Sequence, residues 1–156
     1  MYLCVVAAKV LNNVNIENRR AKFDYAFLEK FVAGMVLTGT EIKSIREGKA
    51  ALSDSYCFFK SDGLYIRNMH IAEYSEGTHY NHEPLRERKL LLNKTELNKL
   101  QKKLKDQGLT IVPVRLFISE SGYAKLEIAL AKGKKEFDKR ETIKKRDVER
   151  EINRKL

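Results

Sequence analysis

The stretch SYCFFKSDGLYIRNMHI, residues 55–71, sets Asp62-Gly63 between two apolar, alternating runs. A tight hairpin turn needs positive φ, which glycine adopts without a Cβ clash, so this dipeptide predicts two antiparallel strands over 55–60 and 64–71. The same pattern returns downstream. Residues 109–118 and 123–130 flank Glu120-Ser121-Gly122, with Ala124, Leu126, Ile128 and Leu130 alternating against Tyr123, Lys125 and Glu127. Pro113, which cannot donate to a ladder, predicts that the first of these strands lies at an edge.

Upstream, residues 25–37 are aromatic and β-branched and predict a further strand, with Gly34 at a bend or bulge. Thr38-Gly39-Thr40-Glu41 has capping-box spacing and predicts a helix that runs to about Glu47 and stops at Gly48, with Ile42 and Ile45 inward. Asn93, three residues before Glu96, announces a second helix carrying Leu97, Leu100 and Leu104 on one face, extended backwards by Leu90, and closing at Gly108. Residues 72–88 read as an exposed polar loop. Together these predict a mainly β fold: a small antiparallel closed β-barrel, OB-fold-like, with two to three flanking α-helices and a basic C-terminal tail. The expected division is an extension over 1–14, a barrel domain over 15–132 and a tail over 133–156.

The tail is set apart by composition. The last 25 residues of the chain hold eleven Lys or Arg and six Asp or Glu, with few apolar side chains, too few to build a core. Helical potential begins at Glu141, and a helix there would align Arg146, Arg150 and Arg154 along one stripe. An isolated helix of this length is marginal in water, so the expectation is a segment disordered when free and helical when bound.

Over the 156 residues, 31 Lys and Arg stand against 21 Asp and Glu, a formal charge of +10 that points to a polyanionic partner. The cations come in blocks: Arg19-Arg20 with Lys22; Lys43, Arg46 and Lys49; Arg86, Arg88 and Lys89; Lys132, Lys134 and Lys135. Phe23, Tyr25, Tyr56, Tyr74 and Tyr80 interleave with them, the mixture that takes phosphates and stacks bases; Phe58, Phe59 and Phe117 are assigned to the core. No apolar run is long enough to span a bilayer, and residues 1–11 lack the basic lead-in and cleavage site of a secretory signal. Cys4 and Cys57 match no metal or redox spacing, which fits reduced thiols in a cytoplasmic protein. His79 and His82 form a His-x-x-His pair without a second ligand pair, and no acid such as Asp54 or Glu41 has a catalytic partner. No metal, cofactor or enzymatic chemistry is expected.

Several ordered motifs sharpen this reading: Asn18-Arg19-Arg20-Ala21, Gly39-Thr40-Glu41-Ile42-Lys43-Ser44, Gly48-Lys49-Ala50, Leu52-Ser53-Asp54-Ser55-Tyr56, Arg88-Lys89-Leu90-Leu91-Leu92-Asn93, Gly133-Lys134-Lys135 and Asp138-Lys139-Arg140-Glu141. Collinear from about Ile16 to the end, they closely resemble the bacterial SsrA-binding protein family, also called small protein B; residues 1–14 have no counterpart in these motifs. The resemblance implies an OB-like barrel that binds transfer-messenger RNA at its tRNA-like domain and brings it, with elongation factor Tu, to the A site of stalled ribosomes for trans-translation. It also implies that Asn18, Arg19, Arg20, Lys22, Glu41, Lys43, Ser44, Arg46, Lys49, Leu91 and Asn93 belong to the RNA-facing surface. Asn93 would then combine that role with capping. Many relatives carry a glutamate that supports RNA binding immediately before Ala33-Gly34, where this chain has Val32. For the tail, the resemblance implies that Gly133, Lys134, Lys135, Phe137, Asp138, Lys139 and Arg140 engage the small-subunit decoding centre, with Phe137 stacking on a base. Residues beyond Glu141, with Arg146, Arg150 and Arg154, would form a helix in the empty mRNA channel. Two other classes remain open: a general RNA-binding or ribosomal protein on the same barrel, and an RNA-processing enzyme.

Overall fold

The computed structural model describes residues 14–77, 79, 81–105, 108–134 and 136–155, and only the backbone at 136–138. In chain order the elements are β1 (Asn15–Glu17), α1 (Arg19–Asp24), β2 (Tyr25–Met35), α2 (Gly39–Arg46), β3 (Ala50–Ala51), β4 (Tyr56–Lys60), β5 (Gly63–Arg67), β6 (His70–Ile71), β7 (Arg88–Leu91), α3 (Lys94–Lys103), β8 (Leu109–Ile118), β9 (Ala124–Gly133) and α4 (Glu136–Lys155). The fold is mainly β. Seven strands form one antiparallel sheet in the order β1-β8-β4-β5-β7-β2-β9, and β8 pairs with β9 as well; β3 and β6 form a separate two-stranded ladder.

The two hairpins follow from their turns. β4 and β5 pair from Tyr56 with Arg67 to Lys60 with Gly63, and Gly63 takes φ +147. The second arm is shorter than the apolar pattern predicts, because Asn68 adopts φ 63 and sends His70–Ile71 away to pair with β3. Between β8 and β9, Gly122 takes φ +89, and β9 runs three residues past Leu130 to Gly133, which lies opposite Tyr25.

Several expectations are corrected. β8 is flanked on both sides, by β1 and β4 as well as β9, so Pro113 does not mark an edge; it sits at a register shift between Pro113 and Arg115, where the ladder is already irregular. The irregularity in β2 lies between Phe27 and Glu29 rather than at Gly34. Leu90 belongs to β7 instead of prolonging the helical stripe, and α3 starts at Lys94. The 72–88 loop is not wholly exposed, since His82 and Arg88 are buried. Phe58 and Phe117 stay half-buried beneath Arg67 and Arg115, at 4.6 and 4.4 Å, whereas Phe59 packs on the core.

The core gathers Ile66 and Leu64 from β5, Leu90 from β7, Ile111 and Leu116 from β8, Leu126 and Ile128 from β9, with Ile45 and Leu100 supplied by the helices. Each such side chain removed from water contributes about 1.5–3 kcal/mol. Cys57 lies among them, and burial pushes its thiol pKa up, which leaves it protonated and inert. Cys4 falls outside the described residues.

Candidate nucleic-acid interface

The organising feature of this surface is a buried carboxylate. Thr38 caps α2, its hydroxyl accepting from the Glu41 amide while the Glu41 side chain accepts from the Thr38 amide, as the spacing predicts. Glu41 is fully buried, and its two oxygens divide between two guanidiniums. Arg86 reaches Oε1 at 2.7 and 3.0 Å, and Arg88, fully buried, donates to Oε2. Arg88 also donates to the carbonyls of Met69 and Pro84, at 2.7 and 3.2 Å. Burial by itself would raise the Glu41 pKa; the hydrogen bonds from Arg88 and Arg86 outweigh it and hold the carboxyl below its ordinary value. The cationic block assigned to nucleic acid therefore gives Arg88 to the interior and Arg86 largely to Glu41. Alternation in Arg88-Lys89-Leu90 puts Arg88 on the face of Leu90, a sequence signal that points inward.

Asn18 is likewise internal. Its Oδ1 accepts from the Ala21 amide at 3.1 Å, capping α1, and its Nδ2 donates to the carbonyls of Pro113 and Leu52 at 2.9 and 3.2 Å. Both amide hydrogens are used, so Asn18 fixes where α1 emerges. From α1, Arg20 pairs with Asp54 at 2.8 Å and Lys22 with Glu17 at 3.2 Å, whereas Arg19 is exposed with no partner among the described residues. On α2, Ser44 is buried, and its hydroxyl has no hydrogen-bond partner among the described residues. Lys43 is exposed, with its ammonium 5.4 Å from the Tyr74 ring, and Arg46 bonds the Gly122 carbonyl at 3.4 Å; Lys49 pairs with Glu47 at 3.0 Å.

Leu91 and Asn93 are both exposed and close together. Asn93 occupies the cap position of α3, but its exposed side chain makes no cap bond, contrary to the capping role expected of it. Gly34 stands opposite Leu91 in β7 and opposite Lys125 in β9. Having no side chain, it leaves a gap between them: a Cβ there would lie 3.4 Å from that of Leu91. An open cleft of about 660 Å³ is lined by Gly34, Val36, Arg46, Leu91, Tyr123 and Lys125 among others. Val32, Leu91, Asn93 and Lys125 line a neighbouring depression, so Val32 is on this surface. Tyr123, which sequence reasoning passed over as a turn-flanking residue, is 70% exposed.

The tail joins the body at α1. The Lys134 amide donates to the Asp24 carbonyl at 2.9 Å and its ammonium to the Lys22 carbonyl at 3.2 Å. α4 starts at Glu136, five residues before the expected helix, and none of its described side chains is buried. Lys139 pairs with Asp24 at 3.3 Å, and Lys139 and Arg146 lie 5.9 and 5.7 Å from the Phe23 ring centroid. Arg140, Arg150 and Arg154 are exposed. Lys135 lies outside the described residues, as do the side chains of Phe137 and Asp138, on which the expected decoding-centre contacts partly fall.

His82 holds the Ile71 carbonyl through Nε2 and the Thr40 hydroxyl through Nδ1, both at 2.9 Å, so neither ring nitrogen is free. Among the described residues, no group of three His, Cys, Asp or Glu side chains gathers into a metal site, and no helix is long and apolar enough to cross a membrane.

Comparison with known proteins supplies the family. The SmpB protein family model matches residues 15–156. The SsrA-binding protein of Phocaeicola vulgatus is 61% identical over 141 residues, covering 90% of this chain and 94% of that one. That of Christiangramia forsetii is 54% identical over 154 residues, 99% of this chain and 96% of the relative, so the similarity reaches into the first fourteen positions that the motifs left without a counterpart. A solved structure described as tmRNA-SmpB, a journey to the center of the bacterial ribosome, superposes with a TM-score of 0.67 at 47% identity, covering 78% of this chain and 85% of that one. Matched from residue 15 to its end, and more than half identical to these two relatives, the chain belongs to the SsrA-binding protein (SmpB) family.

Proposed function

We propose that this chain binds transfer-messenger RNA at its tRNA-like domain and delivers it to the A site of stalled ribosomes for trans-translation, acting as a binding protein rather than an enzyme. The observation that carries the reading is family membership along the chain, joined to a structural likeness to tmRNA-SmpB at 47% identity. On this reading the sheet is an OB-like barrel; the support is that β8, β4, β5, β7, β2 and β9 pair in succession and β9 pairs again with β8. The RNA-facing surface comprises the cleft with Leu91 and Asn93, the α2 cations Lys43, Arg46 and Lys49, and the α1 cations Arg19, Arg20 and Lys22. Asn18, Glu41 and Ser44 act there from beneath, as supports that set the positions of exposed neighbours.

The tail from Gly133 onward is a separate appendage for the small-subunit decoding centre and mRNA channel. Its surroundings favour this: with none of its described side chains buried, α4 gains little from the body, and a polyanionic channel would supply the counter-charge that orders it. Charged transfer-messenger RNA arrives with elongation factor Tu, in the cytoplasm. Gel-shift competition between transfer-messenger RNA and ordinary tRNA tests the reading. Preference for the former is expected, and equal affinity contradicts it in favour of a general RNA-binding protein.

A further inference from the structure

One residue ties both ends of the segment that leads into the tail. Asp24, the last residue of α1, accepts the Lys134 amide on its carbonyl at 2.9 Å, and its carboxylate pairs with the Lys139 ammonium at 3.3 Å. An acid at a helix C-terminus opposes the helix dipole, so α1 itself gives no reason for Asp24. Arg20, four residues earlier, stands 3.6 Å from that carboxylate but meets Asp54 more closely, at 2.8 Å. The adjacent Phe23 ring takes two cations of α4, Lys139 at 5.9 Å and Arg146 at 5.7 Å. Among the described side chains of α4, only Lys139 and Thr142 are half-buried and the rest are exposed. Residues 139, 142 and 146 share one helical face, and that face is turned to α1.

A contact at one point fixes where a helix begins, whereas two points along its axis fix where it aims. Lys139 and Arg146 are two turns apart, so their backbone positions lie about 10 Å from each other along α4. We propose that Phe23 and Asp24 form a bracket that sets the direction in which α4 leaves the body, and that tagging depends on this direction as well as on the charge of the tail. Each bond of the bracket is partly exposed and weak alone, so it orients α4 without adding much to the stability of the body. Asp24 is thus a positioning residue, acting through Lys139. The functional half of the inference rests on the body-and-tail reading above; the geometry of the bracket does not.

The test uses the full chain with a spin label at Val148→Cys, an exposed position of α4, and Cys4→Ser to leave one reactive thiol, since Cys57 is buried. The label should broaden the amide resonances of α1. Asp24→Asn should lower the ratio of bracketed to free helix about threefold, and its combination with Phe23→Leu about tenfold, with the broadening falling in step. Asp24→Glu, which keeps the anion, should preserve it. In unlabelled protein, Asp24→Asn leaves every cation of the tail in place. It should bind transfer-messenger RNA as wild type does and yet support less tagging on stalled ribosomes, with Asp24→Glu restoring tagging. Broadening that is unchanged in the combined variant overturns the bracket. Broadening lost while tagging stays at the wild-type level in Asp24→Asn overturns its functional half, as does a loss of RNA affinity equal to the loss of tagging. A full chain that binds transfer-messenger RNA no better than tRNA overturns the proposed function instead, and the broadening still decides the bracket.

Discussion

The helices α2 and α4 are built on opposite principles. α2 has eight residues and is anchored by the buried side chains Glu41, Ser44 and Ile45; α4 has twenty and buries none of those described. Short helices do not persist on hydrogen bonds alone, because nucleation costs more than a few turns return, so α2 exists by virtue of what it packs against. α4 has length and i,i+4 pairs, and its contacts with the body include a partly exposed ion pair, Lys139 with Asp24, and the Phe23 ring beneath two cations. The comparison teaches that charge serves two ends here. Inside α2's network it fixes a geometry, and along α4 it remains available to a partner.

The largest expected effect lies in α2. Glu41→Gln leaves Arg88 buried without its anion and should cost about 3–5 kcal/mol, read from the urea midpoint. A loss below about 1 kcal/mol would show that the network is not an anchor. The same pair has an acid signature. Glu41 titrates lower in the folded chain than the unfolded value near 4.3, so its contribution is complete above that value and disappears as pH falls through the lower folded one. The stability gap between wild type and Glu41→Gln should therefore close on acidification below about pH 4, and a gap that persisted unchanged would contradict the assignment.

Asn18→Ala comes next. It strips partners from the Ala21 amide and from the Pro113 and Leu52 carbonyls, which should cost about 2–3 kcal/mol. The smallest effects belong to α4. Asp24→Asn should shift stability by less than about 1 kcal/mol, since its ion pair with Lys139 is partly exposed. Val148→Ala should stay within about 0.5 kcal/mol of wild type, and a larger loss would mean that α4 docks more firmly than its exposure suggests.

What could be read from the sequence was mostly local. The Asp62-Gly63 hairpin, the Thr38 capping box and the Leu97 to Leu104 stripe each depend on residues within a few positions of one another, and each appears in the fold. The misses are long-range. Glu41 and Arg88 are 47 positions apart, and only the folded structure reveals that one neutralises the other. Pro113 signalled an edge because the rule for proline assumes regular pairing, whereas a register shift at that point relieves the rule. At the interface, Leu91 and Asn93 were named from resemblance, and the strand register brings Gly34 and Lys125 beside Leu91. Tyr123 was missed because its neighbours in sequence mark only a turn; the neighbours that give it meaning come from α2 and β7.

On the proposed function, body and tail divide the labour, and one variant tests that division directly. A chain ending at Phe137 keeps the cleft, α1 and α2 and removes nearly all of α4. It should bind transfer-messenger RNA almost as tightly as the full chain and yet fail to support tagging on stalled ribosomes. If RNA affinity and tagging fall together, or if tagging survives the truncation, body and tail do not divide the work in this way.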